Sequence, residues 1–88
     1  MERPFHFQIE TPSGIFIEGD DITAVIVTTP VGQLEVLAMH EPIVAACSPG
    51  LVKIRQGEEW MTFRTSRAIL LSDGKDVKLI TSLARLAI

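Results

Sequence analysis

The clearest fold signal is at the start of the chain, in Phe5-His6-Phe7-Gln8-Ile9-Glu10 followed by Thr11-Pro12-Ser13-Gly14. The first six residues alternate apolar and polar side chains, and this period of two predicts a β-strand with one apolar face. The next four contain a proline, which presets φ, and a glycine, which accepts positive φ, so they predict a turn. The segment is therefore typical of an all-β protein.

The same pattern recurs along the chain. Further turn clusters are predicted at Gly19-Asp20-Asp21, Thr29 to Gly32, Ser48 to Gly50, Gln56-Gly57 and Ser72 to Lys75. Alternating or β-branched segments lie between them, and the short apolar run Ile69 to Leu71 suggests a strand buried on both faces. These segments predict a two-sheet antiparallel β-sandwich or flattened barrel of about nine to ten strands.

The only helical candidate is the segment from Ser82 to Ile88. Ser82 is a suitable N-cap, and Leu83, Leu86 and Ala87 follow at helical spacing. So short a segment does not hold a helix in water by itself. A continuation of the last strand or a frayed tail is the preferred interpretation.

Length and charge limit the organisation and the partners. With 88 residues, the chain is expected to form one domain over positions 1–88. Its formal net charge is -3, and its eight Lys and Arg residues are scattered singly along the sequence. Nucleic-acid binding depends on neutralising phosphates with clustered basic residues, so we expect no nucleic-acid partner.

The apolar runs are short. The longest, such as Ile43 to Cys47, have about four to five residues, against the roughly twenty needed to cross a bilayer. Residues 1–4 do not resemble a signal peptide. We therefore expect a soluble protein that reaches a membrane only through other proteins.

Few residue patterns point to chemistry. Asp20-Asp21 and Asp73-Gly74-Lys75-Asp76 are interpreted as hairpin turns rather than as paired catalytic carboxylates or a calcium loop. His6 is expected at the surface, and the single cysteine, Cys47, as a buried inert thiol. Trp60 and Phe63 are expected in the core or an interface rather than in a ligand site. We predict no catalytic residue, cofactor or metal.

Three blocks carry a family resemblance. They are Phe7 to Gly14, Gly32-Gln33-Leu34-Glu35-Val36-Leu37-Ala38-Met39-His40-Glu41-Pro42, and Ser48-Pro49-Gly50-Leu51-Val52-Lys53-Ile54-Arg55. Their order and spacing resemble the N-terminal domain of the epsilon subunit of F-type ATP synthases. The strand Val77-Lys78-Leu79-Ile80-Thr81 resembles the closing strand of that domain. The resemblance covers almost the whole chain.

The central block departs from the family pattern at several positions. Gly32, Val36, Leu37, His40 and Pro42 match it, whereas Gln33, Glu35, Ala38, Met39 and Glu41 do not. Later, Ser66-Arg67-Ala68 stands where the family usually has Ser-Gly-Gly. Turns that lack these glycines cannot rely on positive φ, and the changes suggest altered contacts with partners.

The resemblance implies a non-catalytic part of the central stalk. It implies that the sandwich joins the gamma subunit to the membrane c-ring, peripherally at the cytoplasmic face of a bacterial inner membrane or the equivalent organellar face. A ring-facing loop is implied from Gln33 to Glu41, with Gln33, Glu35, Met39, His40 and Glu41 as its candidate contacts. For the gamma-facing surface, turn-adjacent apolar residues suggest Ile15, Phe16 and Leu51.

The family continues into a two-helix C-terminal domain that can inhibit ATP hydrolysis and, in some members, bind ATP. Residues 1–88 end before that domain, so we expect neither property of them. The departures also leave open a second hypothesis. In it, a sandwich of the same ancestry serves as a free-standing binding or homo-oligomerising module.

Overall fold

Nine strands run through the described part of the chain, which in this computed structural model is residues 3–38 and 42–87. No helix there is long and apolar enough to cross a bilayer. The all-β prediction is confirmed. The strands are β1 (Phe5–Thr11), β2 (Gly14–Thr29), β3 (Gly32–Val36), β4 (Ile43–Cys47), β5 (Gly50–Gln56), β6 (Glu59–Thr65), β7 (Ala68–Ser72), β8 (Asp76–Thr81) and β9 (Ala84–Leu86).

Strand β2 belongs to both layers of the sandwich. Its first half pairs with β1, and its second half pairs with β5 on one side and β3 on the other. The hydrogen-bonded strands follow the order β4-β7-β8-β1-β2-β5-β6-β9, with β3 beside β2. We call β4, β7, β8, β1 and the first half of β2 layer one. Layer two comprises the second half of β2 with β3, β5, β6 and β9.

A β-bulge accompanies the bend in β2. Phe5 pairs with Ile22 and Phe7 pairs with Gly19, so two steps along β1 face three steps along β2. An extra residue of this kind bends a strand and increases its local twist while the strand stays in the sheet. The turn predicted at Gly19-Asp20-Asp21 is therefore wrong, because these residues continue β2 through the bulge.

One pairing differs from the antiparallel arrangement expected for the sandwich. Strand β8 runs parallel to β1, with Phe7 opposite Val77 and Ile9 opposite Leu79. The tight hairpin between β7 and β8 sets the direction of β8 against β7. Strand β8 then lies between β7 and β1, and in that direction it is parallel to β1.

The core consists of side chains on the inner faces of the two layers. Phe7, Ile9, Leu70 and Leu79 of layer one pack with residues such as Ile54 of layer two, all fully buried. The strand predicted to be buried on both faces is not. In β7, Leu70 is buried but Ile69 is 49% exposed, because the sandwich has no third layer to cover the outer face.

Two turns share one sequence pattern and one set of hydrogen bonds. In Thr11-Pro-Ser-Gly14 and Thr29-Pro-Val-Gly32, the threonine Oγ1 donates to the glycine carbonyl and accepts the N–H of the third residue. Gly14 has φ of 122° and Gly32 has φ of 129°. An L-residue avoids such angles, so glycine closes both hairpins.

The last strand settles the ambiguity of the C-terminal segment. Strand β9 pairs with β6, Arg85 opposite Arg64, and the N–H of Ala87 donates to the carbonyl of Thr62 over 2.9 Å. The helical alternative is wrong, and so is a continuation of the preceding strand, because β8 ends at Thr81 and Ala84–Leu86 form a separate strand in the other layer. An antiparallel ladder supplies backbone partners that a helix of one to two turns lacks.

The pairing places the turns at two ends of the sandwich. We call one the Val31 end; it carries the turns at residues 12–13, 30–31, 48–49, 66–67 and 82–83. The other, the Asp73 end, carries residues 57–58 and 73–75. There the Asp73 carboxylate accepts the backbone N–H groups of Lys75 and Asp76, which confirms the predicted hairpin.

Adjacent residues of β7 provide a test of this arrangement. We expect Leu70→Ala to lower the free energy of unfolding by about 2–5 kcal/mol, because it leaves a cavity in a fully buried site. Ile69→Ala should cost less than about 1 kcal/mol, since that side chain is half exposed. Urea unfolding of both variants measures the difference. Equal losses would contradict the assignment of the two faces.

Candidate functional site

The outer face of layer one carries an exposed apolar surface. Val44 is 78% exposed, Ile69 49% and Ile80 41%, and Ala46 is exposed beside them. The register sets Ala46 opposite Ile69, and Ile69 opposite Ile80, so they form a row across three strands. We call Val44, Ala46, Ile69 and Ile80 the apolar face. A contiguous surface of this kind is typical of a protein-binding site.

A groove runs along this face toward the Val31 end, with a volume of ≈ 650 Å³. Ala46, Ile69 and Ile80 line its apolar part. Two turn residues, Pro12 and the charged Arg67, line its border. Apolar walls with a few polar groups favour an apolar side chain from a partner, fixed in orientation by a polar neighbour.

Hydroxyl groups tie together the two turns that border the groove. Ser66 Oγ lies 2.9 Å from both Thr81 Oγ1 and Ser82 Oγ, and it accepts the N–H of Leu83 over 3.2 Å. Thr81 Oγ1 also donates to the carbonyl of Arg67 over 3.1 Å. These bonds hold the two turns against each other, so the groove has a defined shape before any partner binds.

Polar residues continue layer one beyond the apolar face. Lys78 Nζ lies 3.0 Å from Glu10 Oε2, and Gln8 donates to the same carboxylate oxygen. The hydrogen bond from Lys78, followed by that from Gln8, lowers the pKa of Glu10. Because Glu10 pairs in register with Ile80, the apolar face has a charged border on this side.

His6 lies between two carboxylates of β2. Its Nδ1 is 2.6 Å from Asp20 Oδ1, and its Nε2 is 3.0 Å from Glu18 Oε2. An imidazolium donates at both nitrogens, whereas neutral imidazole donates at only one. The hydrogen bond to Asp20, with a second to Gln8, raises the pKa of His6 above 6.5. This pair of contacts links β1 to β2 at the bulge.

Val31 is the most exposed apolar residue at the end named after it. It is 98% exposed at the tip of the turn between β2 and β3, next to Pro30. The turn itself is held by Thr29 and Gly32, so the valine side chain has no role in closing it. An apolar tip on a rigid turn is available for contact with another protein.

The proposed gamma-facing residues do not lie together. Ile15 is on the outer face of layer one, in register with Glu10. Phe16 packs edge-on against Phe63 at a centroid distance of 5.8 Å, so it borders the core. Leu51 lies on the outer face of layer two, opposite Arg64. They therefore do not form one surface.

The proposed ring-facing residues are divided as well. Gln33 and Glu35 are exposed on strand β3, opposite Thr28 and Ile26, so this part of the predicted loop is a strand. Met39, His40 and Glu41 lie outside the described residues. Gln33 is one residue from the turn at the Val31 end.

The apolar face was missed at the sequence level, although a signal was present. Strands β4 and β7 carry apolar residues in both phases, as in Val44-Ala45 and Ile69-Leu70. A strand of this kind is either buried on both faces or exposed to a partner on one. Only the layer arrangement distinguishes these cases.

The other chemical candidates take structural roles. Cys47 is buried, and burial raises the pKa of its thiol, as expected for an inert cysteine. Backbone N–H groups, that of Asp76 first, lower the pKa of the Asp73 carboxylate by hydrogen bonding. Within residues 3–38 and 42–87, no three potential metal ligands are grouped. Trp60 is exposed on layer two rather than buried.

Comparison with known proteins supplies the family. Residues 4–87 match the model of the ATP synthase delta/epsilon chain β-sandwich domain. The chain belongs to this family. The resemblance to the epsilon-subunit N-terminal sandwich, stated from the three sequence blocks, is confirmed, and both the apolar face and the Val31 end lie within the matched residues.

Individual proteins similar to this delta/epsilon-family chain are ATP synthase epsilon chains. It is 28% identical over 75 residues to the ATP synthase epsilon chain of Gloeothece citriformis, covering 85% of this chain and 54% of the relative. It is 38% identical over 52 residues to the chloroplastic epsilon chain of Arabidopsis thaliana, covering 59% and 39% respectively. The chain thus spans about half the length of these curated relatives or less.

Solved structures show the same fold. A chain in the Euglena gracilis mitochondrial ATP synthase assembly of OSCP, F1 and c-ring superposes with a TM-score of 0.88 at 19% identity. That match covers 94% of this chain and 53% of the other. A chain in the central stalk and c-ring structure from Tetrahymena thermophila gives 0.81 at 13% identity, covering 96% and 67%.

The raised pKa of His6 predicts a pH-dependent stability. A raised folded-state pKa stabilises the protein fully below the unfolded value of 6.5, and this contribution is lost as the pH rises through the folded pKa. His6→Asn should therefore lower the urea midpoint more at about pH 5.5 than at about pH 8.5. As a control, NMR titration measures the pKa of His6 in wild type and in Asp20→Asn, where the loss of the Asp20 carboxylate should lower it. A His6 pKa at or below 6.5 in wild type would contradict the geometry.

Proposed function

We propose that this chain is a non-catalytic part of the central stalk of a rotary ATP synthase, a single sandwich domain that joins a gamma subunit to the c-ring. The observation that carries the proposal is the apolar face with its groove, on a member of the delta/epsilon family. A stalk protein needs surfaces that bind partners rather than residues that react. Attachment to the membrane is then through these partners, at the cytoplasmic face or its organellar equivalent.

The gamma subunit binds the apolar face in this proposal. Val44, Ile69 and Ile80 supply the apolar contact area, and the groove receives a side chain from gamma. Arg67 borders the groove at a position where the family usually has glycine, so it adds a charged contact there. This surface replaces Ile15, Phe16 and Leu51 as the gamma-facing set, because those three residues point in different directions.

The c-ring binds the Val31 end. Val31 is exposed at the tip of a rigid turn, and Gln33 follows it on β3. Glu35, two residues further along β3, extends the contact on the outer face. Met39, His40 and Glu41 remain part of the proposal as the continuation of this segment. The two docking surfaces adjoin, because the groove runs to the same end.

Torque transmission requires a body that does not deform between its two contacts. Strand β2 runs through both layers, and its 16 residues connect the turn at Gly14 with the turn at Thr29. The N–H of Ser48 also donates to the carbonyl of Thr28 over 2.9 Å, which ties the end of β4 to β2. A close-packed core between paired strands transmits force with little compression.

Binding to the gamma subunit of the same source tests the apolar face. We expect the double change Ile69→Lys, Ile80→Lys to weaken the complex by at least about 100-fold, since buried apolar contacts near the centre of an interface carry most of its energy. Trp60→Ser, an exposed apolar change on layer two, is the matched control and should alter the Kd by less than about threefold. Isothermal titration calorimetry measures both.

The same variants, studied by a second method, distinguish the stalk subunit from the alternative, a free-standing homo-oligomerising module. Analytical ultracentrifugation of the chain by itself reports its association state. If wild type forms a dimer that the Ile69→Lys, Ile80→Lys change dissociates, and it does not bind gamma, then the apolar face pairs with its own copy. Failure of wild type to bind gamma at all contradicts the stalk function.

Binding to the detergent-solubilised c-ring tests the Val31 end. We expect Val31→Asp to weaken ring binding by about tenfold or more, because it places a charge in an apolar contact. Gamma binding and the urea midpoint should not change, since the side chain is almost fully exposed. Lys75→Asp, in a turn at the Asp73 end, is the control. Equal loss of ring binding in both variants would contradict the assignment.

A further inference from the structure

The fold gathers basic residues that the sequence scatters. Lys53 and Arg55 alternate on the outer face of β5, and the register brings Arg64 of β6 opposite Arg85 of β9. Half of the eight Lys and Arg residues in the chain are thus on one surface. We call Lys53, Arg55, Arg64 and Arg85 the basic face. It lies on the outer side of layer two, opposite the apolar face.

The pairing of Arg64 with Arg85 is unfavourable in the isolated domain. The two residues are direct cross-strand partners, and both side chains are exposed. Like charges in this position destabilise a sheet. Neither Arg64 nor Arg85 forms an ion pair with another residue of the described ranges 3–38 and 42–87. An anionic group bound from outside would convert this repulsion into binding energy.

Apolar side chains accompany the charges on this surface. Trp60, directly opposite Arg55, is 47% exposed, and Leu51, opposite Arg64, is 37% exposed. A shallow groove of ≈ 310 Å³ lies between Ile26, Lys53, Trp60 and Thr62. Tryptophan and arginine are the residues most enriched at the energetic centres of protein interfaces. A mixture of this kind fits a protein surface better than a polymer of phosphates.

The charge of the remaining surface also favours a protein. The outer side of layer one carries Glu10, Glu18, Asp20 and Asp76 around His6 and Lys78, and the net charge is -3. An extended polyanion or an anionic membrane is repelled by such a molecule outside the basic face. A small acidic patch on a protein contacts only the basic face, so it is not repelled in this way. Arginine also binds carboxylates in a planar, bidentate manner.

From these observations we infer that the basic face is a docking surface for an acidic protein segment, with carboxylates bound between Arg64 and Arg85 and an apolar residue against Trp60. This inference does not depend on the proposed stalk function, because the basic face and the apolar face lie on different layers. Both surfaces are free to bind at the same time.

Trp60 is the only tryptophan in the chain, so its fluorescence reports on this surface. The probe is a short capped acidic peptide, Ac-Glu-Glu-Leu-Glu-amide, titrated at about 150 mM salt to limit non-specific attraction. We expect a saturable change in emission. Arg64→Glu, Arg85→Glu should weaken binding at least about tenfold. Arg67→Glu, Lys75→Glu, which changes the net charge equally beside the groove of layer one and in the turn at the Asp73 end, should leave it within about threefold.

A stability measurement separates docking from folding. Arg85→Glu by itself replaces a like-charge pair by an opposite-charge pair across β6 and β9, so its urea midpoint should rise while peptide binding falls. If Arg85 were needed only for folding, its substitution would not raise the urea midpoint while weakening peptide binding. Gamma binding by this variant should be unchanged, which distinguishes failure of this inference from failure of the stalk function.

Three outcomes would overturn the inference. The first is the absence of saturable binding. The second is an equal loss in the control double variant, which would indicate only general charge attraction. The third is binding of a 20-nucleotide single strand, or of vesicles containing phosphatidylserine, at least as tight as that of the acidic peptide and equally dependent on Arg64 and Arg85. That result would assign the surface to phosphates.

Discussion

The bend of strand β2 at its bulge is the constraint on which the rest of the molecule depends. By pairing Phe5 with Ile22 and Phe7 with Gly19, β1 leaves one extra residue on β2 and turns it toward the second layer. The two halves of one strand then form parts of two facing layers. Without the bend, the apolar residues of β1 and β5 would lie on the same side of a single open sheet, with no second layer to cover them.

This construction leaves two outer faces of different chemistry. The outer side of layer one is apolar around Ile69 and Ile80 and carries carboxylates toward β2. The outer side of layer two carries Arg64, Arg85 and an exposed tryptophan. Since each strand directs alternate residues outward, every outer surface is assembled from several strands. A small domain can in this way offer distinct partners distinct faces while its core remains single.

In the proposed function, the turns position residues that contact partners as well as closing the strands. Hydrogen bonds of Thr29 and Gly32 hold Val31 at the tip of its turn, and Ser66 with Thr81 holds the turns around the groove. These bonds are satisfied within the chain, so partner-facing residues need not stabilise the backbone. Sequence departures from the family at positions such as Arg67 can then change contacts with partners and leave the fold intact.

The sequence by itself determined the all-β class, most strand positions and the Thr-Pro-X-Gly turns. Alternation in Phe5 to Glu10 and the properties of proline and glycine are local, and they need no distant partner. It also determined the family, because three blocks stand in register along the chain. The absence of a helix at Ala84–Leu86 was also predictable from the sequence, since a short helix has too few internal hydrogen bonds.

Only the tertiary structure decided which apolar residues are exposed and which charges meet. Ile69 and Leu70 are equally hydrophobic neighbours, yet one is half exposed and the other is buried, because just one face of the layer has a covering sheet. Arg64 and Arg85 are far apart in sequence and adjacent in the β6–β9 ladder. Such surfaces are products of register and layer order, which are non-local, and no local pattern encodes them.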